Sequence, residues 1–222
     1  MAVEMTRQER AREVMRRLGE LYPHAHIALD YDDPWHLLVA VILSAQTTDV
    51  GVNKVTPKLF ARFPGPEDLA AASVLDVEEI VKPTGFYHNK TKLIMASARM
   101  LLTEFGGRVP DTMEDLMRLP GVARKTANIV MANAYGKVEG IAVDTHVFRL
   151  SHRLGLTGEK EPDKVERDLC TLLPREDWYA VNYRFIDHGR AVCTAKRPAC
   201  GACAISDICR SAFTVPGWRA EL

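Results

Sequence analysis

The chain has 222 residues, 47% of them apolar, which is enough to fill one large core or two small ones. Its formal net charge is zero, which argues against a general polyanion-coating protein but leaves room for a local nucleic-acid face. Leu37 to Leu43, the longest apolar run, is too short to span a bilayer, and charged Glu4, Arg7, Glu9 and Arg10 do not form a signal peptide; a soluble intracellular protein is expected.

In chain order, Val14, Leu18 and Leu21 have helical spacing. Asp33 before Pro34 opens the next helix, with proline where its missing N–H does no harm. That apolar helix closes on the polar cluster Ser44-Ala45-Gln46-Thr47-Thr48-Asp49. Gly85-Phe86-Tyr87-His88-Asn89-Lys90 is a helix connection with an aromatic at its tip. Leu93, Ile94, Ala98, Leu101 and Leu102 again follow a helical period. Asp111 or Thr112 can cap the following short helix, with Glu114 and Asp115 in its first turn. Val147, Leu150 and Leu154 belong to a later helix. Gly65, Gly85, Gly106, Gly107, Gly136 and Gly155 read as stops. Strand alternation is scarce, so about ten helices with short connections are expected.

Three segments carry chemistry. Leu119-Pro120-Gly121-Val122-Ala123-Arg124-Lys125 is a tight turn leading into a helix, and the amides of such a start attract phosphate. Lys125 falls in the first turn, where Arg124 and the positive helix end both disfavour its ammonium; partial burial would add to this and leave a neutral amine as nucleophile. A lysine that merely touches phosphate is the plainer alternative. Asp144, in Val143-Asp144-Thr145-His146, reads as a helix N-cap whose carboxylate could also face a cleft. His146 reads as structural or phosphate-facing. Gln46 could fill a gap in a base stack or sit on a solvated helix end. Phe86 could wedge between bases or be core.

The third segment is a cage of thiols: Cys193, Cys200, Cys203 and Cys209 are separated by six, two and five residues. Four such thiolates satisfy an iron–sulfur cluster or a zinc ion. The fifth cysteine, Cys170, stands among apolar neighbours and reads as a small buried core residue. Basic residues gather in two stretches. Lys90, Lys92, Arg99, Arg108, Arg118, Arg124 and Lys125 form one; Arg184, Arg190, Lys196, Arg197 and Arg210 form the other. On one shared face they would make a footprint for phosphates.

In order and spacing, the Lys125 turn, Val143-Asp144-Thr145-His146, the Cys-x6-Cys-x2-Cys-x5-Cys cage and Leu43-Ser44-Ala45-Gln46 resemble the endonuclease III family. These are helix-hairpin-helix DNA glycosylases with an iron–sulfur cluster, and the match runs across almost the entire chain. The resemblance implies an all-α fold of two helical domains flanking a DNA-binding cleft. Residues 27–138 would form a six-helix barrel with the helix-hairpin-helix, and residues 1–26 and 139–222 the iron–sulfur cluster domain. It implies Lys125 as nucleophile, Asp144 as its acidic partner, and Cys193, Cys200, Cys203 and Cys209 as ligands of a structural [4Fe–4S] cluster. DNA contacts would come from Gln46, Phe86, Gly121, Val122, Ala123, Arg124, His146, Lys196 and Arg197.

The implied activity is base excision repair by a bifunctional DNA glycosylase and abasic-site lyase. Lysine attack on C1′ gives a Schiff base, and β-elimination breaks the strand 3′ to the lesion. Oxidised pyrimidines are the implied substrates, in double-stranded DNA with a damaged base or abasic site. A monomer associated with the nucleoid is expected. The family pattern has a glycine where this chain has Ala123, which would add strain if a positive φ or a close approach of backbone to phosphate were needed there. Two rivals are an adenine-type monofunctional glycosylase, which lacks the lysine and carries an extra C-terminal domain, and a catalytically inactive DNA-binding scaffold.

Overall fold

A computed structural model describes residues 5–222; Glu4, one of the charged residues at the start, lies outside them. Regular structure among the described residues is all helical, with twelve α-helices and four short 3-10 turns. The excess over about ten comes from residues 49–71, a stretch cut into three short helices. Thr48 caps the first, Pro57 stands in the first turn of the second, and Pro66 opens the third. Gly65, expected as a stop, is the N-cap of that third helix.

The described chain divides into two compact units, Ile27–Glu139 and residues 5–26 with Gly140–Leu222. The second unit begins with α1 (Arg7–Leu21). Thr6 and Glu9 satisfy each other's backbone amides at 2.8 and 3.2 Å, a capping box. Val14 and Leu18 are buried, but Leu21 at the last turn is 48% exposed and leaves the expected stripe.

The Ile27–Glu139 unit holds α2 (Pro34–Leu43), α3 (Asp49–Asn53), α4 (Thr56–Arg62), α5 (Pro66–Ala71), α6 (Val74–Val81), α7 (Tyr87–Glu104), α8 (Met113–Arg118) and α9 (Arg124–Tyr135). Asp33 accepts the His36 amide at 2.8 Å and starts α2 where proline permits. Every residue from Trp35 to Leu43 is buried, so α2 is a central helix, apolar all round. Both α7 and α9 pack on α2, and α5 and α6 pack on α7. Thr112 rather than Asp111 caps α8, accepting the Asp115 amide.

The other unit is completed by α10 (Thr145–Arg153), α11 (Pro162–Leu172), α12 (Trp178–Ala191) and the cysteine-rich end. Here α10 packs on α12 and α11, and α1 packs on α11 and α12. Phe185, Leu18, Leu150, Val165, Leu169 and Val181 fill the core. Cys170 lies half-buried against this core rather than inside it, because it borders the solvent-facing stripe of α11.

Burial separates two phenylalanines sharply: Phe185 is fully buried and Phe86 is 68% exposed. Phe185→Ala is expected to lower the unfolding free energy by about 3–5 kcal/mol in urea melts. Phe86→Ala should stay within about 0.5 kcal/mol of the parent; a core-sized loss there would contradict its exposure.

Candidate functional site

The segment between α8 and α9 reverses the chain in five residues. The Val122 amide donates to the Leu119 carbonyl at 3.1 Å, and Ser97 Oγ on α7 donates to the Pro120 carbonyl at 2.7 Å. Gly121 has φ +83°, and a Cβ there would lie 3.2 Å from the Leu93 side chain. Both its conformation and its space therefore call for glycine. Ala123 is different: with φ −94° and ψ 171° it is ordinary extended backbone. The strain anticipated from its methyl group is absent. Ala123 is also the N-cap of α9, and no side chain caps that helix. The positive end of the helix therefore has no side-chain cap at its N-cap residue. Val122 is buried, whereas Gly121 and Ala123 face solvent. Lys125 is in the first turn, as expected, but it is exposed, so the partial burial expected for it is not supplied by the protein.

Asp144 is the N-cap of α10. The amides of His146 and Val147 both donate to its Oδ1 at 2.8 Å. Oδ2 stands outside these two bonds, so capping and a second role need not compete for one oxygen. His146 is half-buried, with its Nδ1 3.1 Å from Arg149 Nη2. A Cβ at Gly189 of α12 would lie 2.5 Å from that nitrogen, so α10 and α12 touch through the absence of a side chain.

Gln46 and Phe86 share an unusual backbone. Their φ values are +55° and +46°, and Phe213 is the other non-glycine with positive φ among the described residues. Both Gln46 and Phe86 are exposed, which removes the core reading of Phe86. Lys90 departs from expectation in the opposite sense. It is 3% exposed and takes no part in a basic surface. Its position on the inner face of α7 puts it beneath the Phe86 connection, a contact that charge counting cannot reveal.

The four clustered cysteines are free thiols lining one small cavity, together with Arg153, Val192, Pro198, Ala199, Ala212 and Val215. Among the described residues, no three His, Cys, Asp or Glu side chains gather tightly enough to hold a single ion. Thiols spread round a cavity suit a cluster, whose irons keep the sulfurs apart, better than zinc, which draws sulfur to about 2.3 Å of one centre. The residues thus fit an iron–sulfur group. Burial, with neighbouring thiolates adding to it, pushes the Cys203 thiol up to about 11; burial raises Cys209 as well. Both must lose a proton to act as ligands. His188, 3.5 Å from Cys203 Sγ, is pushed down to about 4 by burial and is neutral.

Arginines of α10 shape the loop between the first two cysteines, a role the sequence reading did not assign. Arg153 donates to Cys193 Sγ at 3.2 Å and to the carbonyls of Thr194 and Ala195 at 2.8 Å. Arg149 donates to the Cys193 carbonyl. The i, i+4 spacing of the two arginines was the available signal. The C-terminal tail closes the other side: the Gly201 amide donates to the Arg219 carbonyl at 3.1 Å, and the Arg219 amide to the Pro198 carbonyl at 2.9 Å. Between these supports, Lys196 and Arg197 are exposed.

Residues 39–175 match the HhH-GPD superfamily of base excision DNA repair proteins, and residues 193–209 match the iron–sulfur binding domain of endonuclease III. Endonuclease III of Synechocystis sp. is 51% identical over 93% of this chain and 94% of its own length. That of Escherichia coli is 41% identical over 89% and 93%. A solved non-covalent endonuclease III–DNA complex superposes with a TM-score of 0.90 at 39% identity, covering 93% of this chain and 97% of that one. A trapped endonuclease III–DNA covalent intermediate gives the same values. A thermostable thymine-DNA glycosylase, 22% identical with a TM-score of 0.81, shares the fold. The chain belongs to the endonuclease III family, within the HhH-GPD superfamily of base excision DNA repair proteins.

Proposed function

We propose that Lys125 is the nucleophile, and Asp144 its acidic partner, of the DNA glycosylase and abasic-site lyase that this chain is by its family. The observation that carries the reading is an exposed lysine in the first turn of α9, directly after the glycine-dependent turn at Gly121 and with no side-chain cap before it. The partner is double-stranded DNA, as in the related endonuclease III–DNA complexes. Amides at the start of α9, with Gly121, Val122, Ala123 and Arg124, take one phosphate. Lys196 and Arg197 meet the backbone elsewhere, and His146 lies close to a phosphate. The chain carries a [4Fe–4S] cluster, for which Cys193, Cys200, Cys203 and Cys209 are the donors. Bound there, it supplies a cross-link that holds the Lys196–Arg197 loop in shape.

The target nucleotide leaves the stack, because its C1′ is unreachable inside a duplex. Gln46 and Phe86 fill the vacated space. The amine of Lys125 attacks C1′, and the glycosidic C–N bond breaks with its electron pair going to the base, which takes a proton as it leaves. Asp144 stabilises the positive charge that builds on the sugar and accepts a proton from the attacking nitrogen. The C1′–O4′ bond then breaks as Asp144 returns its proton to O4′, giving a protonated imine between Nζ and C1′ and a free hydroxyl on the opened sugar. Loss of a C2′ proton then drives elimination of the 3′ phosphate. Oxidised pyrimidines are the substrate class, and the protein acts as a monomer on DNA of the nucleoid. Neither rival fits as well: Lys125 is present, and Ala123 has no strain to betray a lost hairpin.

Borohydride reduction on abasic-site duplex is expected to trap a covalent adduct with the parent protein and none with Lys125→Ala. Parent protein that leaves no adduct overturns the lyase mechanism. Asp144→Asn keeps an N-cap, since asparagine caps as well as aspartate, and removes only the charge. Turnover should fall about 10²-fold or more while DNA affinity stays within about threefold. Turnover and affinity both unchanged would leave Asp144 a capping residue alone. Relative cleavage of duplexes with oxidised pyrimidine, oxidised purine or intact bases measures the substrate class.

The hairpin is tested separately by DNA affinity and thermal melting. Gly121→Ala should destabilise by about 1–2 kcal/mol and weaken DNA binding, from its φ and its contact with Leu93. Ala123→Gly should leave DNA affinity within about twofold, because the position already has an ordinary φ, and raise stability by about 0.5–1 kcal/mol, because glycine is the better N-cap. A large gain in affinity with Ala123→Gly would show that the methyl group obstructs DNA.

A further inference from the structure

Lys90 is a buried cation among uncharged partners. Its Nζ donates to Thr47 Oγ1 at 2.7 Å and to the Thr84 carbonyl at 2.7 Å. Thr47 Oγ1 itself donates to the same carbonyl. Thr84 is 2% exposed, and its hydroxyl donates to the Val81 carbonyl at 2.7 Å, at the end of α6. Three segments distant in sequence are thereby tied: the 44–48 turn after α2, the end of α6 with its 3-10 turn, and the first turn of α7. Burial pushes the Lys90 ammonium below the usual lysine range. A side chain needed only to fill this space would be apolar, since a buried charge costs free energy that hydrogen bonds must offset.

The location gives the clamp its meaning. Thr47 follows Gln46, and Thr84 precedes Gly85 and Phe86. Gln46 and Phe86 are two of the three left-handed non-glycine residues among the described ones. Such conformations cost about 1–3 kcal/mol each and persist only where the surroundings over-determine them. Neither exposed side chain can supply that restraint from its own contacts with solvent. The hydrogen bonds centred on Lys90 hold the Thr47 hydroxyl, one residue from Gln46, and the Thr84 carbonyl, two residues from Phe86.

We propose that Lys90 is a positioning residue, whose amine clamps the Gln46 turn to the Phe86 turn so that both side chains enter the duplex as one preorganised unit. This rests on the reading of Gln46 and Phe86 as gap-filling residues. Lys90 touches neither DNA nor the reacting atoms. Its effect is confined to substrates with a stack to enter. An abasic site in a single strand has no opposing base and no gap to fill, so the clamp contributes nothing there.

The test is single-turnover cleavage of an abasic site in duplex and in single-stranded DNA, with 2-aminopurine opposite the site as a reporter of unstacking. The variants are Lys90→Met, which keeps the volume, Thr47→Val, Gln46→Ala, Phe86→Ala and the Lys90→Met/Phe86→Ala pair. Lys90→Met should slow duplex cleavage about tenfold, reduce the 2-aminopurine signal, and leave single-strand cleavage within about twofold. In the Phe86→Ala background its further effect should shrink below about twofold, because one residue acts through the other. Equal slowing on both substrates, or full multiplication in the double variant, overturns the clamp. If Lys90→Met does not fold, Thr47→Val carries the same expectations. Duplex-selective losses in Gln46→Ala and Phe86→Ala, with both Lys90→Met and Thr47→Val like the parent, overturn the clamp and leave gap filling standing. Gln46→Ala and Phe86→Ala that slow neither substrate overturn both.

Discussion

The turn at Gly121 is the constraint on which the α8–α9 end of the Ile27–Glu139 unit depends. The chain must reverse between α8 and α9 with a left-handed residue, and Leu93 of α7 occupies the space a side chain would need. The reversal sets where α9 begins, and so which residue occupies its first turn. Ser97 of α7 holds the Pro120 carbonyl from the same side. The buried helix α2 packs on both α7 and α9, which fixes the platform beneath the turn.

Several polar side chains in this protein hold backbone carbonyls of the segments around them. Lys90 and Thr47 converge on one carbonyl, and Arg153 and Arg149 reach carbonyls of the cysteine loop. Donors aimed at backbone fix the path of a segment without specifying its outward side chains. Gln46, Phe86, Lys196 and Arg197 can therefore remain exposed while the chain beneath them is restrained. The same logic explains the short covering contact between the C-terminal tail and Pro198–Gly201. An iron–sulfur group bound by the four thiols would add covalent restraint to a loop already supported from two directions.

What was legible in the sequence was whatever depends on near neighbours. The Asp33–Pro34 start, the Thr112 cap and the Asp144 cap follow from groups within three residues of one another. The glycine at 121 and the intervals between the cysteines carry their message in the same local way. Helical class followed from apolar spacing, although proline and cap signals in 49–71 divided the helices more finely than spacing indicated. The tertiary structure decided which side of a boundary each ambiguous residue takes. Phe86 lies outside, Lys90 inside, Leu21 outside, and Ala123 has an unstrained φ. Periodicity reports the face a residue occupies, but not whether a polar group on that face meets a hydroxyl from a segment 43 residues away. Burial of the lysine depends on that long-range partner, and only the folded chain brings it within reach.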